Sequence, residues 1–119
     1  FLEACTQAKT ANAPVLLIAY DTPYPEPLRA TRPIAHSLGI ALVISPVATA
    51  SNLAKVSVSL GQSAASAMHN PELEALRRNV PAARGLPLLQ AIACGQATAA
   101  LVLELFDNQQ LLLQVSASL

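Results

Sequence analysis

One apolar run, Val-Leu-Leu-Ile-Ala-Tyr-Asp from Val15 to Asp21, constrains this chain most. The run is rich in aliphatic side chains and is bounded by Pro14 and Pro23, which favours a buried strand over a helix. A strand that is apolar on both faces needs cover on both faces, as in the central sheet of an α/β protein. The sequence therefore predicts an α/β fold in which the rest of the chain extends or covers this strand.

Four further strands are predicted along the chain. Gly39 to Ser45 is a second apolar run, and we expect it to be buried as well. Lys55 to Leu60 alternates Val with Ser, which indicates a half-exposed strand, at an edge of the sheet. Ala99 to Phe106 and Gln109 to Val115 flank Asp107-Asn108 and indicate a hairpin, although a helix for part of this Leu-rich region is an alternative.

Three helices are predicted from periodicity and capping residues. The spacing of apolar residues predicts a helix that reaches about Ala11. Asn70 and Pro71 are typical of a helix start, with Asn as the capping residue and Pro in the first helical position. A third apolar stripe, Leu88 to Ala93, is followed by Gly95, which is placed to end the helix.

The segment from Asp21 to Leu28 contains three prolines and is predicted to be extended on the surface, continuing to Pro33. The Ala/Ser-rich stretch from Gln62 to Ala67 indicates a loop or a weak helix.

Composition bounds the size and the partners. The 119 residues suit a single domain over 1–119. Hydrophobic residues make up 53% and charged residues 12%, so we expect some apolar surface to be covered by a partner. The net charge is zero, and Arg77-Arg78 is the only basic pair, so no nucleic-acid partner is predicted. Two long stretches lack charged residues, Pro33 to Ala54 and Gly85 to Leu103, but prolines and polar residues interrupt both, so no membrane span is predicted.

Asp21 is the most suggestive candidate for chemistry. It ends the first strand, and ligands gather outside the carboxyl ends of strands in open α/β sheets. The alternative is a structural carboxylate that accepts hydrogen bonds from backbone N–H groups at Thr22 or beyond.

Cys5 is expected on the buried side of the first helix, and Cys94 at a helix C-terminus, where the dipole opposes a thiolate. We expect both thiols to be buried and unpaired, which favours a reducing, cytoplasmic location.

His36 and His69 have no Cys, Asp or Glu at the spacing of a metal site. Arg77-Arg78 could bind a phosphate or a carboxylate, but a solvated helix end is the expected role. We therefore predict no catalytic residue, no metal and no cofactor, and we retain Asp21 as the single candidate on the ligand side.

Several of these motifs together resemble a known family. Val15–Asp21, Pro25-Glu-Pro-Leu28, Gly39–Pro46 and Leu86–Ile92 are similar to the β-ketoacyl synthase-like N-terminal domain. The family includes chain length factors of aryl polyene and related polyketide or fatty-acid assembly. The resemblance implies a thiolase-like fold, with one mixed sheet of about five strands covered by helices. It also implies that the chain corresponds to the C-terminal half of such a domain.

In true ketosynthases a cysteine at the start of a helix attacks the acyl thioester, and that helix precedes the strand matching Val15–Asp21. Neither Cys5 nor either histidine matches a catalytic position, so no catalytic residue is carried over. We accordingly expect a piece of a longer polypeptide.

The resemblance implies a non-catalytic, chain length factor-like protein that pairs with a ketosynthase-type subunit, with acyl carrier protein as a further partner. Two alternatives stay open: a small α/β acyl-thioester enzyme using Asp21, and an assembly module without a ligand. Because thiolase-like proteins are generally dimers, a homo- or hetero-oligomer is expected.

Overall fold

The computed structural model describes residues 1–118 of the chain, which form four α-helices, one 3-10 turn and five strands. The architecture is α/β, and each predicted strand is present. In chain order the elements are α1 (Leu2–Ala11), β1 (Val15–Asp21), α2 (Leu28–Thr31), β2 (Leu38–Ile44), β3 (Ala54–Gly61), α3 (Pro71–Asn79), the 3-10 turn Pro81–Gly85, α4 (Leu86–Ala93), β4 (Thr98–Phe106) and β5 (Gln109–Ala117).

The prediction of one mixed sheet is wrong for these residues, because the strands form two antiparallel sheets. β1 and β2 pair as a two-stranded sheet, here called the ribbon. The other three strands form the three-stranded sheet, in the order β3-β5-β4. A parallel pair needs a crossover connection, usually a helix. The connection from β1 to β2 contains only the single turn α2, so β2 returns antiparallel to β1.

The three-stranded sheet contains the main core of the molecule. Its central strand β5 buries Leu111, Leu113 and Val115 against Leu88 and Ala91 of α4. The hairpin predicted from Asp107-Asn108 is confirmed, and the alternative of a helix in this region is wrong. β3 lies at an edge of this sheet, as predicted. Its alternation of Val and Ser places Val56 and Val58 against the core.

A second cluster joins the far end of the ribbon to α3 and the 3-10 turn. Ile34, Val80 and Ala83 are its buried members, and Tyr24 and Leu38 pack against them. The connection between β1 and β2 is therefore anchored, although only one of its residues is fully buried.

The prediction that this connection stays extended to Pro33 is wrong at its centre. Leu28–Thr31 forms one helical turn, and the Arg32 N–H donates to the Leu28 carbonyl at 2.9 Å. Proline disfavours helix in the residue before it, but no proline lies between Leu28 and Thr31, so nothing there prevents a turn.

The helix ends follow the predicted chemistry. The Asn70 side chain accepts hydrogen bonds from the backbone N–H groups of Glu72 and Leu73, at 2.8 and 3.1 Å. At the end of α4, Gly95 has φ of 58°, and the Gln96 N–H reaches the Ala91 carbonyl at 3.3 Å. This is the hydrogen-bond pattern of a Schellman cap, in which glycine avoids the steric cost of a left-handed residue.

Candidate functional site

One face of the ribbon is exposed and apolar. Leu16, Ile18 and Tyr20 of β1 are 60, 60 and 74% exposed, and Val43 of β2 is 71% exposed. Both strands were predicted to be buried on both faces, and that prediction is wrong within residues 1–118. The reason is that α1 and the 3-10 turn pack against the ribbon from its other side, where Leu17, Ala19, Ile40 and Leu42 point.

The covered face of the ribbon lines an apolar crevice of about 540 Å³. One wall consists of Leu17 and Leu42, and the facing wall includes Leu88 of α4 and Leu103 of β4. Phe1 and the first turns of α1 close one side. The ribbon is therefore attached to the three-stranded sheet through a layer of apolar side chains that leaves part of the space unfilled. The residues on the ribbon's inner face are half-buried.

Asp21 holds the ribbon to the 3-10 turn. The Ala82 N–H donates a hydrogen bond to Asp21 Oδ2 at 2.5 Å. The acceptor role matches the structural alternative stated for this residue, but the donor lies far along the chain instead of at Thr22 or in the following loop. An N–H in the first turn of a helix has no intrahelical partner, and this carboxylate supplies one.

Arg77 is not a solvated helix-end residue. Its side chain is 9% exposed and makes two hydrogen bonds to Glu74, from Nε to Oε2 at 2.8 Å and from Nη2 to Oε1 at 2.7 Å. Glu104 of β4 lies 3.6 Å from Arg77 Nη1 and also pairs with Arg84. The cluster ties α3 and the 3-10 turn to β4.

These contacts change the acidity of Glu74. The hydrogen bonds from Arg77 and from the Met68 N–H, which donates at 2.8 Å, lower the pKa of Glu74 to about 2. The spacing of three residues between Glu74 and Arg77 was visible in the sequence as a helical pair. The part played by Glu104 was not, because only the fold brings β4 beside α3.

The two cysteines are free thiols in different surroundings. Cys5 is half-buried in α1, and this burial raises the pKa of its thiol, although the N-terminal amino group and Lys9 oppose the change. A raised pKa means less thiolate at neutral pH. Cys94 lies directly after α4, as predicted, but it is exposed, so the prediction of a buried thiol is wrong at this position.

His69 lies beside a small open pocket of about 270 Å³, together with Ser66, Gln90 and Gln96. The Ser66 hydroxyl is already used, because it accepts a hydrogen bond from the Val102 N–H at 2.9 Å. His36 is exposed in the connection before β2. In the part of the chain that the structure describes, no three His, Cys, Asp or Glu side chains are grouped to hold a metal ion.

Across residues 1–118, no helix has the length and apolar character needed to cross a membrane. Comparison with protein-family models, with curated proteins and with solved structures gives no match for this chain. The ribbon's exposed face is therefore the candidate site that the geometry itself supplies.

Proposed function

We propose that this chain is a non-catalytic, ketosynthase-like subunit of fatty-acid or polyketide assembly in the cytoplasm, which pairs with a synthase subunit through the exposed face of the ribbon. The pathway, the chain length factor-like role and the thiolase-like fold of the complete domain come from the resemblance of Val15–Asp21 and Gly39–Pro46 to that family. The pairing is supported by the exposed apolar face, which is the observation that carries the proposal.

The energetics favour a partner on this face. Fully burying a Val, Leu or Ile side chain contributes about 1.5–3 kcal/mol. The face presents Leu16, Ile18, Tyr20 and Val43, all more than half exposed. Their combined burial is of the same order as the cost of association, roughly 4–15 kcal/mol. A partner that also contacts the ribbon's surroundings would therefore bind this face stably.

The alternative of an acyl-thioester enzyme that uses Asp21 has less support. One oxygen of that carboxylate is already bonded to the Ala82 N–H, so it serves the fold. The Cys5 thiol has a raised pKa, which works against nucleophilic attack on a thioester. An assembly module without a ligand would use the same face, and binding of acyl carrier protein distinguishes it from the proposed subunit.

The test combines the chain with a β-ketoacyl synthase of its own organism and with acyl carrier protein thioesters. We expect the chain alone to form no condensation product, and the mixture to form a complex with an altered product chain length. Ile18→Lys should abolish both effects, because it places a charge in the apolar contact. Ser57→Lys, on the exposed side of β3, is the matched control and should leave both unchanged.

Two results would contradict the proposal. One is a stable acyl adduct on Cys5 that forms faster than on a free thiol. The other is thioester turnover by the chain alone that is lost in Asp21→Asn while the melting temperature is unchanged.

A further inference from the structure

The two outer strands of the three-stranded sheet differ in how far their outer edges are closed. Along β4, the Ser66 N–H donates to the Val102 carbonyl at 2.9 Å, and the Ser66 hydroxyl accepts from the Val102 N–H at 2.9 Å. β4 also contains an irregularity in register between Glu104 and Phe106. Bulges and covering segments are devices with which proteins protect a sheet edge from further pairing. The outer edge of β4 is therefore partly closed.

The hydrogen-bond pattern identifies the backbone groups on the outer edge of β3. In an antiparallel sheet, alternate residues of a strand bond to the neighbour on one side, and the residues between them face the other side. Because Val102 bonds outward, Leu101 bonds inward to Leu113 of β5. The next residue of β5, Leu112, then bonds to Ser59 of β3. The residues of β3 whose backbone groups face away from β5 are accordingly Ala54, Val56, Val58 and Leu60.

We call the N–H and carbonyl groups of these four residues the open edge. Within residues 1–118, no hydrogen bond engages the open edge, and only β5 contacts β3 extensively. The pairing of β3 with β5 has no irregularity in register, and β3 contains no proline. Unlike the edge of β4, the open edge therefore keeps the regular spacing of a strand that can pair again.

The open edge determines the class of molecule that can bind it. A regular row of donors and acceptors is matched by the backbone of another extended strand. Val56 and Val58 lie half-buried on the inner face of the sheet, and Leu60 is 48% exposed. An added strand therefore needs apolar residues on that face. It needs polar residues on the other face, where Ser57 and Ser59 are exposed.

Lys55 restricts the added strand further. It is the only charged residue of β3, and it takes part in no salt bridge in the described part of the chain. Lysine on a sheet edge opposes pairing, whereas a carboxylate across from it favours pairing. β3 has no acidic residue, so β3 of a second copy cannot supply that carboxylate. The charge therefore favours a strand from a different protein, with Asp or Glu opposite Lys55.

We propose that the open edge of β3 binds an extended segment of a different protein as a fourth strand of the sheet. The segment alternates apolar and polar residues and places a carboxylate opposite Lys55. This inference goes beyond the proposed function, because β3 and the ribbon belong to different sheets. If the edge binds a peptide and no synthase responds to the chain, only the proposed function fails. If a synthase pairs with the chain and the edge binds no peptide, only the present inference fails.

The probe is the acetylated peptide amide Val-Thr-Val-Thr-Val-Glu-Val. In antiparallel register it places Val opposite each residue of the open edge and Glu opposite Lys55. Two isomers of equal composition are compared. In the first, both Thr nitrogens are methylated, which leaves the edge that faces β3 intact and prevents the peptide from pairing with itself on the other edge. In the second, the Val nitrogens opposite Val58 and Val56 are methylated, which removes two donors that face β3.

Isothermal titration calorimetry with the full chain measures both affinities. The first isomer should bind in the micromolar range, and the second at least about tenfold more weakly, because it lacks two hydrogen bonds. Amide hydrogen exchange locates the peptide. The Val56 and Val58 N–H groups should exchange rapidly in the free chain and slowly in the complex, while those of Ser57 and Ser59 stay protected in both. Absence of binding by the first isomer at millimolar concentration, equal affinities, or unchanged exchange at Val56 and Val58 would each overturn the proposal.

The second experiment tests the charge. Lys55→Glu should weaken binding of the first isomer by about threefold or more, because like charges then lie opposite each other. Lys9→Glu makes the same change on the exposed side of α1 and should alter the dissociation constant by less than about twofold. The same isomer with Lys in place of Glu should prefer the Lys55→Glu chain. Equal affinity of that peptide for both chains would overturn the acidic partner. Protection of Val56 and Val58 that rises with chain concentration alone would overturn the proposal in favour of a second copy.

Discussion

The ribbon and the three-stranded sheet are both antiparallel and each packs one face inward, yet their outer faces differ in chemistry. The three-stranded sheet turns mainly polar side chains outward, among them Lys55, Ser57, Ser59, Gln114 and Ser116. The ribbon turns Leu16, Ile18, Tyr20 and Val43 outward. An antiparallel sheet with one face on the core and the other in water alternates apolar and polar residues along each strand. The ribbon lacks that alternation, so its outer face is suited to a protein surface.

The inner faces differ as well. The three-stranded sheet packs on α4 with side chains that are almost completely buried, such as Leu113 at 1% exposure. The ribbon borders the partly filled crevice and is secured by α1, the 3-10 turn and the bond from Ala82 to Asp21. Stability is therefore concentrated in the sheet, and we expect local opening of the ribbon to cost less free energy than opening of the sheet.

The largest expected effect is a loss of folding stability, which we compare for one residue in the three-stranded sheet and one in the ribbon. Leu113→Ala leaves a cavity in the main core and should lower the free energy of unfolding by about 3 kcal/mol. Ile18→Ala removes an exposed side chain and should change it by less than about 0.5 kcal/mol, measured at concentrations where the chain is monomeric. Urea denaturation followed by circular dichroism measures both. Equal losses would mean that the ribbon is as well packed as the sheet.

The next effect tests the attachment between the two regions. Asp21→Asn keeps an acceptor but removes its charge, and should lower the free energy of unfolding by about 1 kcal/mol. Amide exchange in β1 and β2 should become faster, while exchange in β5 stays unchanged, because the bond to Ala82 holds only the ribbon. Asp107→Asn, in the turn between β4 and β5, serves as the matched control and should leave both measurements unaltered. A uniform increase in exchange across the molecule would show that Asp21 supports the whole fold.

The smallest expected effect concerns Glu74, whose partner Arg77 joins α3 to the three-stranded sheet. The pKa of Glu74 is lowered from its ordinary value of 4.5 to about 2 by Arg77 and the Met68 N–H. The folded state therefore gains stability from this carboxylate above pH 4.5, and loses it as the pH falls towards 2. The melting temperature should decline over that range, and Arg77→Met should make the decline shallower. An identical pH profile in that variant would contradict the assignment.

Much of the fold was predictable because local chemistry decided it. The turn at Asp107-Asn108, the cap at Asn70 and the helix end at Gly95 each depend on neighbours within a few residues. The strand Val15–Asp21 was also predictable, but its burial was not. A run that is apolar at every position does not reveal which face is covered, since no alternation distinguishes the faces.

The candidate site needed the register between distant strands. Nothing in the sequence places Tyr20 opposite Gly39, because that pairing depends on the path of the connection between β1 and β2. The burial of Arg77 likewise depends on Glu104 in β4. The prediction of an uncovered apolar surface followed from composition, but its position and shape required the structure.

The most direct test of the exposed ribbon face as a partner surface is an NMR titration of the chain, labelled at tyrosine, with a β-ketoacyl synthase. Since Tyr20 and Tyr24 are the only tyrosines, the ring signals are readily assigned. Tyr20 is 74% exposed on the ribbon, whereas Tyr24 packs against the second cluster. We predict that the Tyr20 signals shift or broaden when the synthase binds, and that the Tyr24 signals change much less. Unchanged Tyr20 signals in a mixture that forms a complex would contradict the account.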